Sequence, residues 1–165
     1  LPISWRGLEA DRLLDSPLIV VGSPGAARRL AGCAPEAYAD EPLLGNAPVW
    51  EDWFALAGVR CRVKPVASFN DAGLMLQAAE QNLGIALGRE LWVADALRDG
   101  RLVRLSPIAL TKDPSQYALW FVYPSNLRDW APLRALRSWV HDELRRSERG
   151  LREPSPPPVR RRSRL

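Results

Sequence analysis

Alternating strand and helix patterns predict an α/β fold for this chain of 165 residues. Short apolar runs, such as residues 18–21, are followed by segments whose apolar side chains repeat at helical spacing. Gly and Pro residues separate these segments. The hydrophobic fraction of 47% is ordinary for a globular protein and supplies a core. We therefore expect parallel or mixed sheets covered by helices.

The first part of the chain contains two strand–helix pairs. The β-branched run 18–21 predicts a buried strand, and Ser23 and Pro24 are typical of an N-cap and a first helical residue. A second short strand is predicted at 42–45, and Pro48 begins the helix that follows it. This second helix has an apolar face formed by Val49, Trp50, Trp53, Phe54 and Ala57.

The middle of the chain predicts two further strands and one helix. Apolar and basic residues alternate over 59–64, which is typical of a strand with one wet face. Residues 68–71 are rich in capping side chains and predict a helix start. The buried stripe of that helix is expected to be Leu74, Met75, Ala78 and Ala79. Asn82 and Gly84 both tolerate the left-handed conformation that ends helices, and 85–87 is again a strand.

The last part predicts two strands and two helices. A helix is expected from about 89 to 98, a strand over 102–105, and a final helix from about 130 to 146. Residues 117–123 form the most apolar run of the chain and predict a central strand. The inward side of the final helix is expected to consist of Leu133, Leu136, Val140 and Leu144.

The net charge of +4 lies entirely in the C-terminal segment. Residues 147–165 contain six arginines and two acids, whereas residues 1–146 contain 17 basic and 17 acidic residues. The run Pro154-Ser155-Pro156-Pro157-Pro158 predicts a disordered tail over 147–165. The electrically balanced body has no net basic excess of the kind that a nucleic-acid surface usually needs.

No pattern of residues indicates catalysis, a metal or a cofactor. Cys33 and Cys61 have no Cys or His at zinc-ligand spacing and are expected to be reduced structural thiols. His141 adjoins Asp142 and Glu143 on a helix, where neighbours point in different directions. No nucleophile elbow or phosphate-binding glycine loop is present, and no apolar run is long enough for a membrane helix. We therefore expect a binding protein without a cofactor and not an enzyme.

Five polar or aromatic residues at strand ends and helix starts are candidates for ligand binding: Ser23, Asn46, Ser68, Phe69 and Asn70. Ligands of open α/β sheets bind beyond the carboxyl ends of strands, and helix N-termini suit carboxylates or phosphates. Each candidate has a competing structural role. Ser23, Ser68 and Asn70 can simply be helix caps. Asn46 can shape a turn, and Phe69 can belong to the core.

The stretch 68–87, SFNDAGLMLQAAEQNLGIAL, and its sequel 96–105, ALRDGRLVRL, resemble a known family. They are similar to the effector-binding domain of LysR-type transcriptional regulators, especially the glycine-cleavage activators. Further matching pieces cover 7–14, 21–24, 50–58, 117–124 and 136–143. The family pattern usually has Gly where this chain has Asn82, a mild departure because Asn tolerates the left-handed conformation.

The resemblance implies a periplasmic-binding-protein-like fold of two α/β lobes, one complete and one partial. Residues 1–17 would end the opening half of lobe I, residues 18–86 would form lobe II, and residues 87–146 would return to lobe I. The effector would lie between the lobes. The family's N-terminal winged helix-turn-helix, its linker helix and the first elements of lobe I have no counterpart in the sequence.

The function that the resemblance implies is effector sensing by a cytoplasmic regulator that is a homo-oligomer in its intact form. A small metabolite would bind near Ser68, Phe69 and Asn70, with Asn46 and Ser23 as further contacts, and the helix start would suit an anion. DNA would be bound only through the missing winged helix-turn-helix. Three other interpretations remain open: a solute-binding protein of a transport system, an enzyme that uses Asp71 or Glu51, and a non-functional gene remnant.

Overall fold

The computed structural model describes residues 6–111 and 118–152, with side chains up to residue 147. Within these residues, the strands are β1 (Leu8–Asp15), β2 (Leu18–Gly22), β3 (Leu43–Leu44), β4 (Ile85–Arg89), β5 (Val103–Leu110) and β6 (Ala118–Pro124). The helices are α1 (Pro24–Leu30), α2 (Ala47–Leu56), α3 (Ala72–Glu80), α4 (Glu90–Arg98) and α5 (Ala131–Arg152), with 3-10 turns at Pro35–Asp40 and Ser125–Leu127. None of the described helices is long and apolar enough to cross a membrane.

The larger sheet has four strands in the order β3-β4-β2-β5. Strand β2 is antiparallel to both β4 and β5, whereas β3 runs parallel to β4. A parallel bridge between Leu44 and Ala67 adds one more extended segment beside β3. The predicted α/β class with a mixed sheet is confirmed.

Both faces of this sheet are buried, which explains why 18–21 is a continuous apolar run. Alternate residues of a strand point to opposite faces. Val20 accordingly packs in the core on the α2 side, while Ile19 and Val21 pack in a second core beneath α3 and α4. All three side chains are fully buried.

Aromatic residues of α2 dominate the first core. Trp50, Trp53 and Phe54 are fully buried and contact one another at ring-centroid distances of 5.2 to 6.0 Å. Tyr38 stacks on Trp53 with an interplanar angle of 9°. The apolar face that the sequence predicts for this helix is confirmed at these three positions.

Strand β5 contains a β-bulge at residues 105–108, where the backbone carbonyls accept hydrogen bonds from side chains. The hydroxyl of Tyr38 donates to Leu105 O, and Trp53 Nε1 donates to Ile108 O at 3.4 Å. Arg104 donates to the carbonyls of the two intervening residues. The bulge therefore leaves these carbonyls satisfied although they do not pair with β2.

The smaller sheet consists of β1 and β6, paired antiparallel. Arg128 Nη2 lies 2.6 Å from Glu9 Oε2, and the hydrogen bond from Arg128 holds the pKa of Glu9 below its usual value. Tyr123 also donates to Glu9, and the guanidinium of Arg137 on α5 lies 5.6 Å from the centroid of the Tyr123 ring. Polar contacts thus join β1, β6 and α5.

The prediction of a central strand at 117–123 is wrong for the described residues. Strand β6 pairs with β1 alone, and Val122 is 43% exposed. Leu136, expected to point inward from the final helix, is also exposed, as is Trp139. The apolar composition of these segments predicted burial. Among the described residues, however, no strand or helix packs over Val122, Leu136 and Trp139. Residue 117 lies outside the described residues.

The strand predicted at 59–64 is absent. The expected alternation of exposure is nevertheless present, since Val59, Cys61 and Val63 pack against the α2 core while Arg60 and its alternating basic neighbours are exposed. A strand requires a partner for its backbone hydrogen bonds, and the amphipathic pattern alone does not supply one. These residues therefore form an extended but unpaired segment.

Two details near α3 also differ from expectation. Leu74 is 56% exposed, and the buried residues of α3 are Leu76 and Ala79. Asn82 adopts the left-handed conformation with φ of 60°, as predicted, but Gly84 does not. Gly84 is needed for space instead, because a Cβ there would overlap the carbonyl oxygen of Pro42.

The segment boundaries of the sequence prediction cut across observed elements. The boundary at residue 86 falls inside β4, and β5, which follows it, pairs with β2 in the larger sheet. The chain therefore crosses to the smaller sheet only after β5. Helix α5 continues through Arg152 beyond the start of the predicted disordered tail, and residues 153–165 lie outside the described residues.

Replacing Gly84 by Ala is expected to lower the free energy of unfolding by about 3 kcal/mol, because the new methyl group overlaps backbone. Urea denaturation monitored by circular dichroism measures this loss. Gly32→Ala is the matched control, since Gly32 has φ of +73° but open space around it. Its cost should be only about 1 kcal/mol, from the left-handed backbone alone. Equal losses for the two variants would refute the steric explanation.

Candidate functional site

A pocket of about 240 Å³ lies at the edge of the larger sheet where β3, the bridge at Ala67 and β4 all end. These three segments run parallel, so their carboxyl ends meet on one side, the usual place for ligands of open α/β sheets. The pocket is lined by Leu18, Leu44, Gly45, Asn46, Val49, Trp50, Phe69, Asn70, Asp71, Ala72, Met75 and Leu87.

Asn46 reaches the pocket through the turn that joins β3 to α2. Gly45 adopts φ of 106°, and its N–H donates to Ala67 O at 2.8 Å. Asn46 then occupies the N-cap position of α2, but its side chain makes no capping hydrogen bond. Its carboxamide is exposed, so it can meet a ligand.

Phe69 and Asn70 follow the bridge at Ala67 and also line the pocket. Helix α3 begins only at Ala72, and its N-cap is Asp71, whose carboxylate accepts a hydrogen bond from Leu74 N at 2.9 Å. The helix start therefore lies later than Ser68. Pairing of the preceding backbone with β3, through Val66 N and Leu43 O at 2.9 Å, holds the chain extended there.

The structure does not bring Ser68 and Ser23 into the pocket lining. Ser68 is exposed in the loop. Ser23 is buried and caps α1, accepting from Ala26 N at 3.1 Å and donating to Asn82 Oδ1 at 2.6 Å. It follows the C-terminal end of β2, whereas the pocket contacts Leu18 at the other end of that strand. The bond from Ala26 N caps α1, and the bond to Asn82 links Ser23 to the turn that follows α3.

Several lining residues escaped the sequence analysis as ligand contacts. Leu18, Met75 and Leu87 carry only apolar side chains, and a pocket wall of this kind has the same composition as a core. Asp71 was recognised as part of a helix start, but its position at the pocket was not. Its position next to Asn70 in the sequence is the one signal that could have indicated a place at the pocket.

The lining is apolar apart from two carboxamides and one carboxylate. Asp71 is the ionisable side chain among the lining residues, and no Lys, Arg or His is among them. The carboxylate of Asp71 occupies the N-terminus of α3, next to the residues that the sequence suggested as an anion site. Within the described residues, no group of three or more His, Cys, Asp or Glu is placed to hold a metal.

Comparison with known sequences finds a family match over most of the chain. The family model of the LysR substrate binding domain matches residues 1–145. The HTH-type transcriptional activator AmpR of Citrobacter koseri is 28% identical over 138 residues, which are 82% of this chain and 46% of that protein. A glycine cleavage system transcriptional activator homolog of Haemophilus influenzae is 23% identical over 149 residues, or 88% and 48%. The chain spans about half the length of these curated relatives.

Comparison with solved structures gives the same assignment. The effector domain of the transcriptional regulator AmpR of Pseudomonas aeruginosa superposes with a TM-score of 0.73 and 26% sequence identity. The match covers 89% of this chain and 70% of that domain. The fold is therefore that of a LysR effector-binding domain, the periplasmic-binding-protein-like arrangement that the sequence resemblance implied.

Replacing Asp71 by Ala is expected to destabilise the chain by about 1 kcal/mol, because the first turn of α3 loses its cap. Asp71→Asn should cost only a few tenths of that, since an Asn side chain is an equally good N-cap acceptor. Urea denaturation of both variants measures the difference. If Asp71→Asn were as destabilising as Asp71→Ala, the charge and not the hydrogen bond would be what Asp71 contributes.

Proposed function

We propose that this chain, which belongs to the LysR substrate-binding domain family, senses a small molecule in the pocket at the ends of β3 and β4 and transmits its binding to a DNA-binding domain. The observation that carries this proposal is the convergence of Asn46, Phe69 and Asn70 on one pocket. All three are candidates from sequence alone, yet they lie on two different loops.

The chemistry of the pocket supports recognition and not reaction. Phe69 provides partly exposed aromatic surface, and the two carboxamides provide hydrogen-bond donors and acceptors that fix a ligand's orientation. The pocket holds no pairing of nucleophile and base. The relatives are named as transcriptional activators, which also favours a binding role for this chain.

Transmission requires the ligand to prefer one arrangement of the protein over another. We propose that the two sheets belong to the two lobes and that ligand binding shifts their relative position. In an intact cytoplasmic regulator, this shift would rearrange winged helix-turn-helix domains in a homo-oligomer bound to DNA. The junction at Ser16 and Pro17, between β1 and β2, would act as a hinge.

A library of small metabolites tests the proposal with this chain alone. We expect at least one compound to raise the melting temperature and to shift the backbone amide resonances of residues 44–46 and 69–72. Asn46→Ala and Asn70→Ala should each weaken its binding by about tenfold, because each removes a hydrogen-bonding side chain from the ligand. Asn126→Ala is the matched control, since Asn126 is an exposed Asn on the smaller sheet's side and should leave binding unchanged.

The opposite pattern of resonance shifts would refute this assignment. A second groove of about 480 Å³ lies between α1 and β5, next to Cys33 and Tyr38. If all binding compounds shifted resonances there and left residues 44–46 unchanged, the pocket at β3 and β4 would not be the sensor.

A further inference from the structure

The charge of the pocket is set by one residue. Asp71 carries a formal negative charge at the rim, and the remaining lining side chains are apolar or neutral. Its carboxylate accepts one backbone N–H, from Leu74, so it retains acceptor capacity for a second donor. A negative charge beside an apolar cavity attracts cationic ligands and repels anionic ones.

The aromatic residue that a ligand can reach favours the same class of ligand. Phe69 lines the pocket together with Asp71 and is only partly buried. The face of an aromatic ring carries partial negative charge and attracts a cation within about 6 Å. Trp50 also lines the pocket, but its side chain is 1% exposed and belongs to the core. The carboxylate of Asp71 and the ring of Phe69 therefore act in the same direction on a positively charged group.

Arg89 is the basic residue that requires consideration as a competing anion site. It pairs with Leu18 across β2 and β4, and Leu18 lines the pocket. Its guanidinium, however, donates to Ser16 O at 3.3 Å and lies 5.4 Å from the ring centroid of Trp92. Arg89 is thus held at the junction with the smaller sheet and is not among the lining residues.

The pocket is small, with a volume of about 240 Å³. The apolar part of the lining, which includes Leu18, Val49, Met75 and Leu87, matches a short hydrocarbon body. The carboxamides of Asn46 and Asn70 remain for a neutral polar group.

Building on the proposed function, we infer that the effector carries an ammonium group on a compact apolar body and that Asp71 selects it. Asp71 thereby has two roles, as the N-cap of α3 and as the counter-ion of the ligand. The same carboxylate disfavours an anionic metabolite in the pocket.

Three probes with one branched carbon skeleton test this inference on the full 165-residue chain: 3-methylbutylammonium, 3-methylbutanoate and 3-methylbutan-1-ol. Titrations followed by amide resonances of residues 44–46 and 69–72 give their dissociation constants. We expect the ammonium probe to bind about tenfold more tightly than the alcohol, because an ion pair and a cation–π contact both contribute. The carboxylate should be the weakest of the three.

Asp71→Asn is the deciding variant because it retains the cap and removes the charge. It should reduce the affinity for the ammonium probe to that of the alcohol, while the affinity for the alcohol stays the same. Asp95→Asn, which neutralises an exposed carboxylate on α4 that is not among the lining residues, is the charge-matched control and should change none of the three affinities.

Three results would overturn the inference. The first is that the carboxylate probe binds more tightly than the ammonium probe and that Arg89→Gln abolishes this preference. The pocket would then be an anion site governed by Arg89. Equal affinities of the three probes would show that charge does not select the ligand. Failure of all three to bind would remove Asp71 as a counter-ion, whereas library compounds that depend on Asn46 and Asn70 would still uphold the proposed function. If those compounds were absent as well, both proposals would fail.

Discussion

Burial of two indole rings on one short helix is the constraint on which the larger sheet depends. A buried tryptophan needs a partner for its N–H. Trp50 finds that partner in Leu44 O of β3, and Trp53 finds it in Ile108 O of β5. Because β3 and β5 are the two outer strands of the order β3-β4-β2-β5, helix α2 is tied to both sides of the sheet. Tyr38 completes the arrangement by stacking on Trp53 and bonding Leu105 O.

The pocket is a consequence of this constraint. The bond from Trp50 to Leu44 O fixes the start of α2 directly after β3, so Gly45 must turn sharply and Asn46 must lie at the rim. The loop at 68–71 arrives beside them because its preceding residues pair with β3. Polar side chains from two loops are thus brought to a wall that the core itself supplies. A site of this kind needs few dedicated residues, since Trp50 serves the core and the pocket together.

The smaller sheet is held together in a different way. Contacts of Glu9, Tyr123, Arg128 and Arg137 join β1, β6 and α5, and several apolar side chains on these elements are exposed. An isolated pair of strands is marginally stable, so packing of α5 is important to this part of the chain. The apolar run at 117–123 predicts a central strand, but composition does not distinguish a strand buried on two faces from one with a partly exposed face. The alternation over 59–64 predicts a strand as well, but alternation reports exposure and not pairing.

The sequence by itself determined the α/β class, the positions of most helices and strands, the left-handed Asn82 and the family, because these depend on local propensity, periodicity and motif order. It also indicated Asn46, Phe69 and Asn70 as candidates for ligand binding. Only the tertiary structure decided that these three meet in one pocket, that Ser23 belongs to the opposite end of β2, and that Asp71 lies at the rim. The physical reason is that strand order and direction are set by long-range pairing and by where the indole N–H groups find acceptors. Neither the strand pairing nor these acceptors can be read from the sequence next to Asn46, Phe69 and Asn70.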